Sequence, residues 1–341
     1  MWRKRIAFAF LFVIWASYAL GDQTLSSWNA GPARQKITDF VARVTNPSDP
    51  DFVKPGDRVA VFDNDGTLWP EWPLYTPILF ALERLEKLAP KHPEWRRNPL
   101  FRAALAHDLD RVRASGESGQ LKIVAATYSG DTPEKFREEA ANWTAHTRHP
   151  LFGRPFEDLA YQPMLELLSY LRANGFKVYI VSGGETEFLR AFAERLYGAA
   201  PEQVLGSQIA THFMFADGDP ILLRDPRMIN HDVKAQKPVT ISQAIGRRPI
   251  IAFGNSDGDI EMLQWTMAGQ GARLALLLRH DDAAREAAYD RGAPVGRLDR
   301  GLDEAHKRGW TVVSMKNDWR QVFVGEKTKP APATQDDARD R

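Results

Sequence analysis

Two carboxylates one residue apart, Asp63 and Asp65, close the run Val59-Ala-Val-Phe-Asp-Asn-Asp-Gly-Thr-Leu-Trp-Pro70. Val59 to Phe62 are apolar, β-branched or aromatic, the composition of a buried strand. Alternate residues of a strand face opposite ways, so the chain must bend at Gly66 before the two acids can meet at one point. Two anions brought together in a crevice repel and lose hydration, and they persist only with a cation or a shared proton. Oxygen ligands of this kind suit a hard divalent cation, Mg²⁺ first. On these residues alone, a solvated Asn-Asp-Gly turn after an edge strand is an equal alternative.

Two more apolar runs end in polar turns. Residues 176–181 lead into Ser182-Gly183-Gly184, and residues 249–253 into Gly254-Asn255-Ser256-Asp257-Gly258-Asp259. Lys237 stands just before a short helical segment, residues 238–246, ahead of the second of these; Lys234 competes with it for the same role. In a parallel α/β sheet, ligands gather beyond the C-terminal ends of the strands, so the three turns share one crevice. Each turn alone says little; their order, each after an apolar strand, says much more.

These residues resemble the haloacid dehalogenase (HAD) superfamily, on the side of its phosphoserine-phosphatase-like members. Asp63-x-Asp65-Gly66-Thr67, Ser182 with Gly183-Gly184, Lys237, and the acidic stretch ending at Asp259 follow its four motifs in order, over about residues 56–320. The resemblance implies a Rossmann-like α/β core with an inserted helical cap of the C1 type, and a phosphomonoester phosphatase. It further implies that Asp63 is the nucleophile, forming an aspartyl-phosphate, and that Asp65 is general acid and then general base. Ser182 and the Gly183 amide would bind phosphoryl oxygens, and Lys237 would neutralise both phosphate and Asp63. Mg²⁺ would be held by the Asp63 carboxylate, the Asp65 backbone carbonyl and the last motif, Asn255 and Asp259. Asn255 departs from the pattern, which has aspartate there; an amide oxygen still ligates Mg²⁺, with one negative charge fewer. Asp257 reads as the acidic member of a turn, behind Asp259.

Positioning these residues takes strands alternating with helices, hence a mostly parallel sheet covered by helices on both faces. Residues 274–278 and 311–315 also read as strands, and 213–216 with 221–223 as a hairpin around Asp217-Gly218-Asp219. Residues 37–44, 164–172, 185–197 and a segment from Ile260 read as helices. Between Asp65 and Ser182 the apolar spacing is helical: residues 74–88, a segment through Phe101, Leu105, Leu109 and Val112, and one opened by Thr132-Pro133-Glu134. The expected organisation is a signal peptide (1–21), an N-terminal extension (22–55), the core (56–70 and 157–322), the cap (71–156) and a disordered tail (323–341). At the hinge, Glu71 either binds a substrate amine, as a similarly placed glutamate does in phosphoserine phosphatases, or is solvated. Trp69, Trp72 and Tyr75 either wall an organic substrate or pack between hinge and cap. Arg148, His149 and Arg154 either meet phosphate at the cap's exit or, by default, lie on the surface, and His280-Asp281-Asp282 reads as a helix start rather than a second metal site.

The 341 residues are 43% hydrophobic and 26% charged, ordinary for a folded protein. Arg3, Lys4 and Arg5, the apolar residues 6–20 and the small residues Ala19 and Gly21 read as a cleavable signal, hence an exported, periplasmic or secreted protein. The apolar run falls short of the roughly 20 residues that span a bilayer. Without its three cations the formal charge of +1 becomes about −2, and no block of like charge argues for nucleic acid or a membrane as partner. There is no cysteine, which excludes disulfides, thiolate metal sites and cysteine nucleophiles. The sequence thus leads to a Mg²⁺-dependent phosphatase for a small organic phosphoester. Its rivals are a phosphotransferase of the same fold and a catalytically weak phospho-ligand-binding protein, the latter because of Asn255.

Overall fold

The computed structural model describes residues 25–326. The expected signal peptide, and the expected tail after residue 326, lie outside the described residues. Eight strands form one sheet: β1 (Val59–Phe62), β2 (Lys177–Glu185), β3 (Val204–Ala216), β4 (Asp219–Asn230), β5 (Ile251–Gly254), β6 (Leu274–Asp281), β7 (Ala288–Tyr289) and β8 (Thr311–Ser314). Its heart is parallel, in the order β3-β2-β1-β5-β6-β8. Antiparallel β4 and β7 flank it. From β1 the chain works outward through β2 and β3, then returns beside β1 as β5 and works outward the other way. That reversal opens a crevice beyond the C-terminal end of β1.

Strand periodicity divides the core between the two faces of the sheet. Ala60 and Phe62 of β1 join one apolar cluster with Val178, Ile180, Ile251 and Phe253. Val59 and Val61 join the other, with Val181, Ala252, Ile241 and Leu263. All four β1 residues are buried, which is why the strand reads as a continuous apolar run.

The helices in chain order are α1 (Pro32–Thr45), α2 (Thr76–Leu88), α3 (Pro99–Leu105), α4 (Leu109–Ala114), α5 (Gly116–Thr127), α6 (Pro133–His146), α7 (Gln162–Ala173), α8 (Thr186–Arg190), α9 (Ala193–Tyr197), α10 (Gln236–Ile245), α11 (Ile260–Met267), α12 (Asp299–Arg308) and α13 (Met315–Asp318). Helices α2 to α6 fill the insert between β1 and β2. The long β3–β4 hairpin reaches out to them: Arg224 donates from Nε to the Tyr128 carbonyl at 2.7 Å, lies 3.1 Å from Glu185 and stacks 4.1 Å from the Phe136 ring centroid. Among the described residues no helix is long and apolar enough to cross a membrane.

Several expectations shift. The segment through Phe101 and Val112 breaks at His107, whose φ is +55°, into α3 and α4, each capped by its own side chain, Asn98 and Asp108. The expected helix over 185–197 is two short ones, α8 and α9. Strand β2 continues, with a register shift, through Ser182-Gly183-Gly184, where a tight turn was expected. Strand β6 runs on to Asp281, so His280-Asp281-Asp282 ends a strand instead of starting a helix. The N-terminal extension is built into the core: Ile37, Phe40, Val41 and Val44 of α1 are buried, and the Trp28 indole donates to the Pro163 carbonyl at 2.9 Å. Phe323 is buried and bridged to Tyr161, so the ordered chain passes the expected start of the tail.

Candidate active site

Beyond the C-terminal ends of β1, β2 and β5 lies a cavity of about 580 Å³, with Asp63, Asp65, Ser182, Gly183, Lys237 and Asp259 in its lining. The bend predicted at Gly66 is real. Gly66 takes φ +75° and donates its N–H to the Trp69 carbonyl at 2.8 Å, while Thr67 and Leu68 both donate to the Asn64 carbonyl. A Cβ at Gly66 would overlap Asn255 Nδ2 and Glu71 Oε1, so the position needs glycine for space as well as for φ. The Asp63 N–H donates to the Phe253 carbonyl at 2.9 Å, continuing the β1–β5 ladder into the site.

Lys237 is the lysine of the site. Its Nζ donates to Asp63 Oδ1 and to Asp259 Oδ1, each at 2.6 Å, and it is buried. It lies in the first turn of α10 instead of just before it. Lys234 is exposed and only 4.0 Å from Glu117. Burial works against the Lys237 ammonium, but the Asp259 and Asp63 carboxylates outweigh it and hold its pKa above the usual lysine value.

The acids are held in unequal ways. Burial, then the charge of Asp259, pushes Asp63 up to about 7 against the pull of Lys237. Burial pushes Asp65 up to about 6, opposed by a 2.8 Å hydrogen bond that Trp69 Nε1 donates to Asp65 Oδ1. Glu71 is 1% exposed, which removes the solvated alternative, and burial, then Asp63 and Asp65, raise its carboxyl well above the usual range. Asp259 Oδ2 accepts from the Asn255 N–H, the Ser256 N–H and the Ser256 hydroxyl, so both of its oxygens are committed to protein donors. Asp257 accepts from the N–H groups of Arg300 and Gly301 at the start of α12, which makes it the turn acid the spacing suggested.

Asn255 sits between two partners: Thr67 donates its hydroxyl to Asn255 Oδ1 at 3.1 Å, and Asn255 Nδ2 donates to Glu71 Oε1 at 2.6 Å. The Tyr289 hydroxyl donates to the same Glu71 oxygen at 3.0 Å. Ser182 Oγ accepts from the Gly184 N–H at 3.0 Å, and a Cβ at Gly183 would press on Val233. Among the described residues no three His, Cys, Asp or Glu side chains form a ready metal cage. A cation held here would have to draw on backbone and amide oxygens as well.

Of the hinge aromatics, Trp69 is buried against Phe156, Phe188 and Phe192, Trp72 stacks on Tyr289, and Tyr75 accepts from the Gly296 N–H and lines the cavity. His149 is buried beside Phe152 and Phe156, and Arg148 and Arg154 donate to backbone carbonyls; none of the three lines the cavity. Sequence reasoning named His280 but missed its place in the site. Its Nε2 lies 2.8 Å from the Gly66 carbonyl and its Nδ1 3.0 Å from Glu286, so it braces the Asp65–Gly66 turn from behind. Its place at the C-terminal end of the fourth apolar run was the available signal.

The sequence pattern of haloacid dehalogenase-like hydrolases matches residues 60–264. No curated protein sequence matches the chain. Among solved structures, a conserved protein of unknown function from Anaerococcus prevotii shares 16% identity over 83% of this chain and 91% of its own, with a TM-score of 0.54. A protein of unknown function from Bordetella pertussis shares 16% identity over 75% of this chain and 98% of its own, with a TM-score of 0.46. A phosphoserine phosphohydrolase-like protein from Francisella tularensis shares 18% identity over 65% and 88%, with a TM-score of 0.39. At such identities only the fold is compared. The family pattern covers more than half of the sequence and takes in Asp63, Asp65, Ser182, Lys237 and Asp259, and the chain belongs to the haloacid dehalogenase-like hydrolases.

Proposed function

We propose that this hydrolase is a Mg²⁺-dependent phosphomonoester phosphatase that acts on a small organic phosphate through an aspartyl-phosphate at Asp63. The observation that carries the reading is the pair Asp63 and Asp65, buried on one cavity floor, with Lys237 bonded to the first and Trp69 to the second. The cavity volume of about 580 Å³ suits a small organic ligand.

The donor set fits the ion. Four buried carboxyls, on Asp63, Asp65, Glu71 and Asp259, face one buried ammonium, on Lys237, and every free donor is a hard oxygen. The Asp63 carboxylate, the Asp65 backbone carbonyl and the Asn255 amide oxygen would hold Mg²⁺, and Asp259 would anchor Lys237 and the Asn255–Ser256 turn. When bound, the ion supplies positive charge that lets a carboxylate approach a phosphate dianion.

Asp63 attacks phosphorus, and the bond from phosphorus to the ester oxygen breaks. Lys237 fixes Asp63 Oδ1 and so orients the attack. Asp65 gives its proton to the leaving oxygen, then takes one from the water that cleaves the aspartyl-phosphate, releasing orthophosphate and restoring Asp63. A carboxyl held near 6 exchanges protons readily close to neutral pH. Trp69 occupies Asp65 Oδ1, which leaves Oδ2 for that proton. Ser182 and the Gly183 N–H meet the phosphoryl oxygens. Glu71 is not needed for a substrate amine in this scheme; Asn255 and Tyr289 donate to its Oε1 and fix its orientation. The chemistry takes place after export, in keeping with the signal-like residues 1–21.

Turnover of p-nitrophenyl phosphate, with and without Mg²⁺ and with Asp63→Asn, tests the scheme. Release is expected to need Mg²⁺ and to vanish in Asp63→Asn. Unchanged turnover in that variant refutes the mechanism, and tight phosphoester binding without turnover means a binding protein.

A further inference from the structure

We propose that the substrate of this site is the phosphate monoester of an apolar alcohol, whose uncharged carbon chain lies against a wall shared by cap and core. The proposal rests on the phosphatase reading above and names the alcohol that the reaction releases. Beyond its polar floor, the cavity of about 580 Å³ is lined by Ile78 of α2, Leu121 and Val124 of α5, Met228 of β4, and Val233 of the loop after β4. Four separate stretches of the chain thus bring apolar side chains to one space. The wall begins where the proposed phosphate seat ends: a Cβ at Gly183 would stand 2.8 Å from Val233 Cγ1. An ester whose phosphoryl group meets Ser182 and Gly183 has Val233 beside it.

The charged groups around this wall already have protein partners. Glu117 of α5 lies 2.9 Å from His231 Nδ1 and 4.0 Å from Lys234 Nζ, and so ties cap to core at the mouth. Glu185 lies 3.1 Å from Arg224 and accepts from the Glu187 and Phe188 N–H groups. Arg113 pairs with Asp110 and donates to the Pro73 carbonyl at 3.4 Å. Arg297 and Arg300 are exposed, 3.7 Å from Asp299 and 4.0 Å from Glu261. A zwitterionic alcohol would bring an ammonium and a carboxylate against Ile78, Leu121 and Val124, which return no hydrogen bond for the hydration lost. An apolar chain loses nothing there, and each methylene it buries favours binding by up to about 4-fold. The step is the one written above, with the apolar alcohol as the group that takes the Asp65 proton.

Release of orthophosphate in the presence of Mg²⁺ tests this on n-alkyl phosphates from ethyl to hexyl, with glycerol phosphate and phosphoserine as polar comparators. In wild type, kcat/KM is expected to rise about 2- to 4-fold with each added methylene. Propyl phosphate is expected to exceed glycerol phosphate, its dihydroxy analogue, by about 10-fold or more. Leu121→Asn and Met228→Gln place a polar group at half-buried positions on two different elements. Each is expected to lower the hexyl-to-ethyl ratio of kcat/KM by about 5-fold or more. Circular dichroism melts report whether each variant is folded, and if neither folds the wild-type series decides. A flat alkyl series, a wild-type preference for phosphoserine or glycerol phosphate, or a folded variant with the wild-type ratio overturns this inference alone. A wild-type protein that hydrolyses none of these esters overturns the phosphatase reading itself, and this inference with it.

Discussion

Replacing Asp63, the proposed nucleophile, should stabilise the metal-free protein, and only above a certain pH. Burial and the charge of Asp259 lift the Asp63 carboxyl from its ordinary 3.8 to about 7, against the pull of Lys237. A carboxyl raised in the folded state binds its proton more tightly there than in the unfolded chain. Its contribution to stability is therefore complete below about pH 4 and is lost as the pH rises to about 7. A displacement of that size corresponds to on the order of 4 kcal/mol. Asparagine has the same shape and no charge, so Asp63→Asn escapes the loss. The variant also forfeits the Lys237–Asp63 ion pair, but a buried pair nets little against a neutral isostere, and Lys237 keeps Asp259. The expected gain near pH 8 is about 2–4 kcal/mol, falling to about zero near pH 4, where both side chains are neutral. Urea unfolding of the two proteins in EDTA, at acid, intermediate and alkaline pH, measures it, and Mg²⁺ should shrink the difference by binding wild type. A stability difference that does not vary with pH, or a variant weaker than wild type near pH 8, refutes the account of Asp63.

Trp69→Phe keeps a ring stacked on Phe192 but removes the donor to Asp65 Oδ1, so the Asp65 carboxyl should rise further above its ordinary value. Turnover should drop, and the Asp65 limb of the pH–rate profile should move alkaline by about one pH unit, the worth of a hydrogen bond to a charged group; a profile that only scales down would mean that Trp69 is mere packing. Asp257→Ala should cost about 1 kcal/mol in urea unfolding, as the loss of a helix cap does, and leave the Mg²⁺ requirement of turnover unchanged. A raised requirement would make Asp257 a metal ligand.

What the sequence disclosed follows from which contacts are local. Buried parallel strands are apolar on both faces, so β1 and β5 stand out as continuous runs, and the acids and turns beyond them fall into one crevice by topology alone. Lys237 could be chosen over Lys234 because it stands beside the start of the next helix, as the family's lysine does. Helix α5 was invisible: it opens Gly116-Glu-Ser-Gly, which reads as a loop, and its apolar residues cluster at 121–126 without helical spacing. Strand β6 was cut short at Leu278 because Arg279, His280 and Asp281 are polar, although the β6–β8 ladder continues to Arg279 and His280 and Asp281 pair with β7. The place of His280 in the site was lost with that boundary. Glu71 was legible as a candidate but not as a partner of Asn255, since nothing local links residues so far apart.

The site sorts its carboxyls by how many oxygens the protein claims. Asp63 gives Oδ1 to Lys237, Asp65 gives Oδ1 to Trp69, and Glu71 gives Oε1 to Asn255 and Tyr289. Each donor comes from a different part of the chain, so each carboxyl is fixed in rotation while its second oxygen remains for the cavity. Asp259 gives both oxygens, to Lys237 and to the Asn255–Ser256 turn, and thereby serves as an anchor. In the proposed reaction such a floor would already be oriented when a phosphoester arrives, with little reorganisation between binding and attack. The same arrangement accounts for the cost expected at Asp63. Carboxyls gathered around one lysine are expected to destabilise the fold at neutral pH, and the Mg²⁺ proposed above would relieve that repulsion where the proposed attack on phosphorus also needs positive charge.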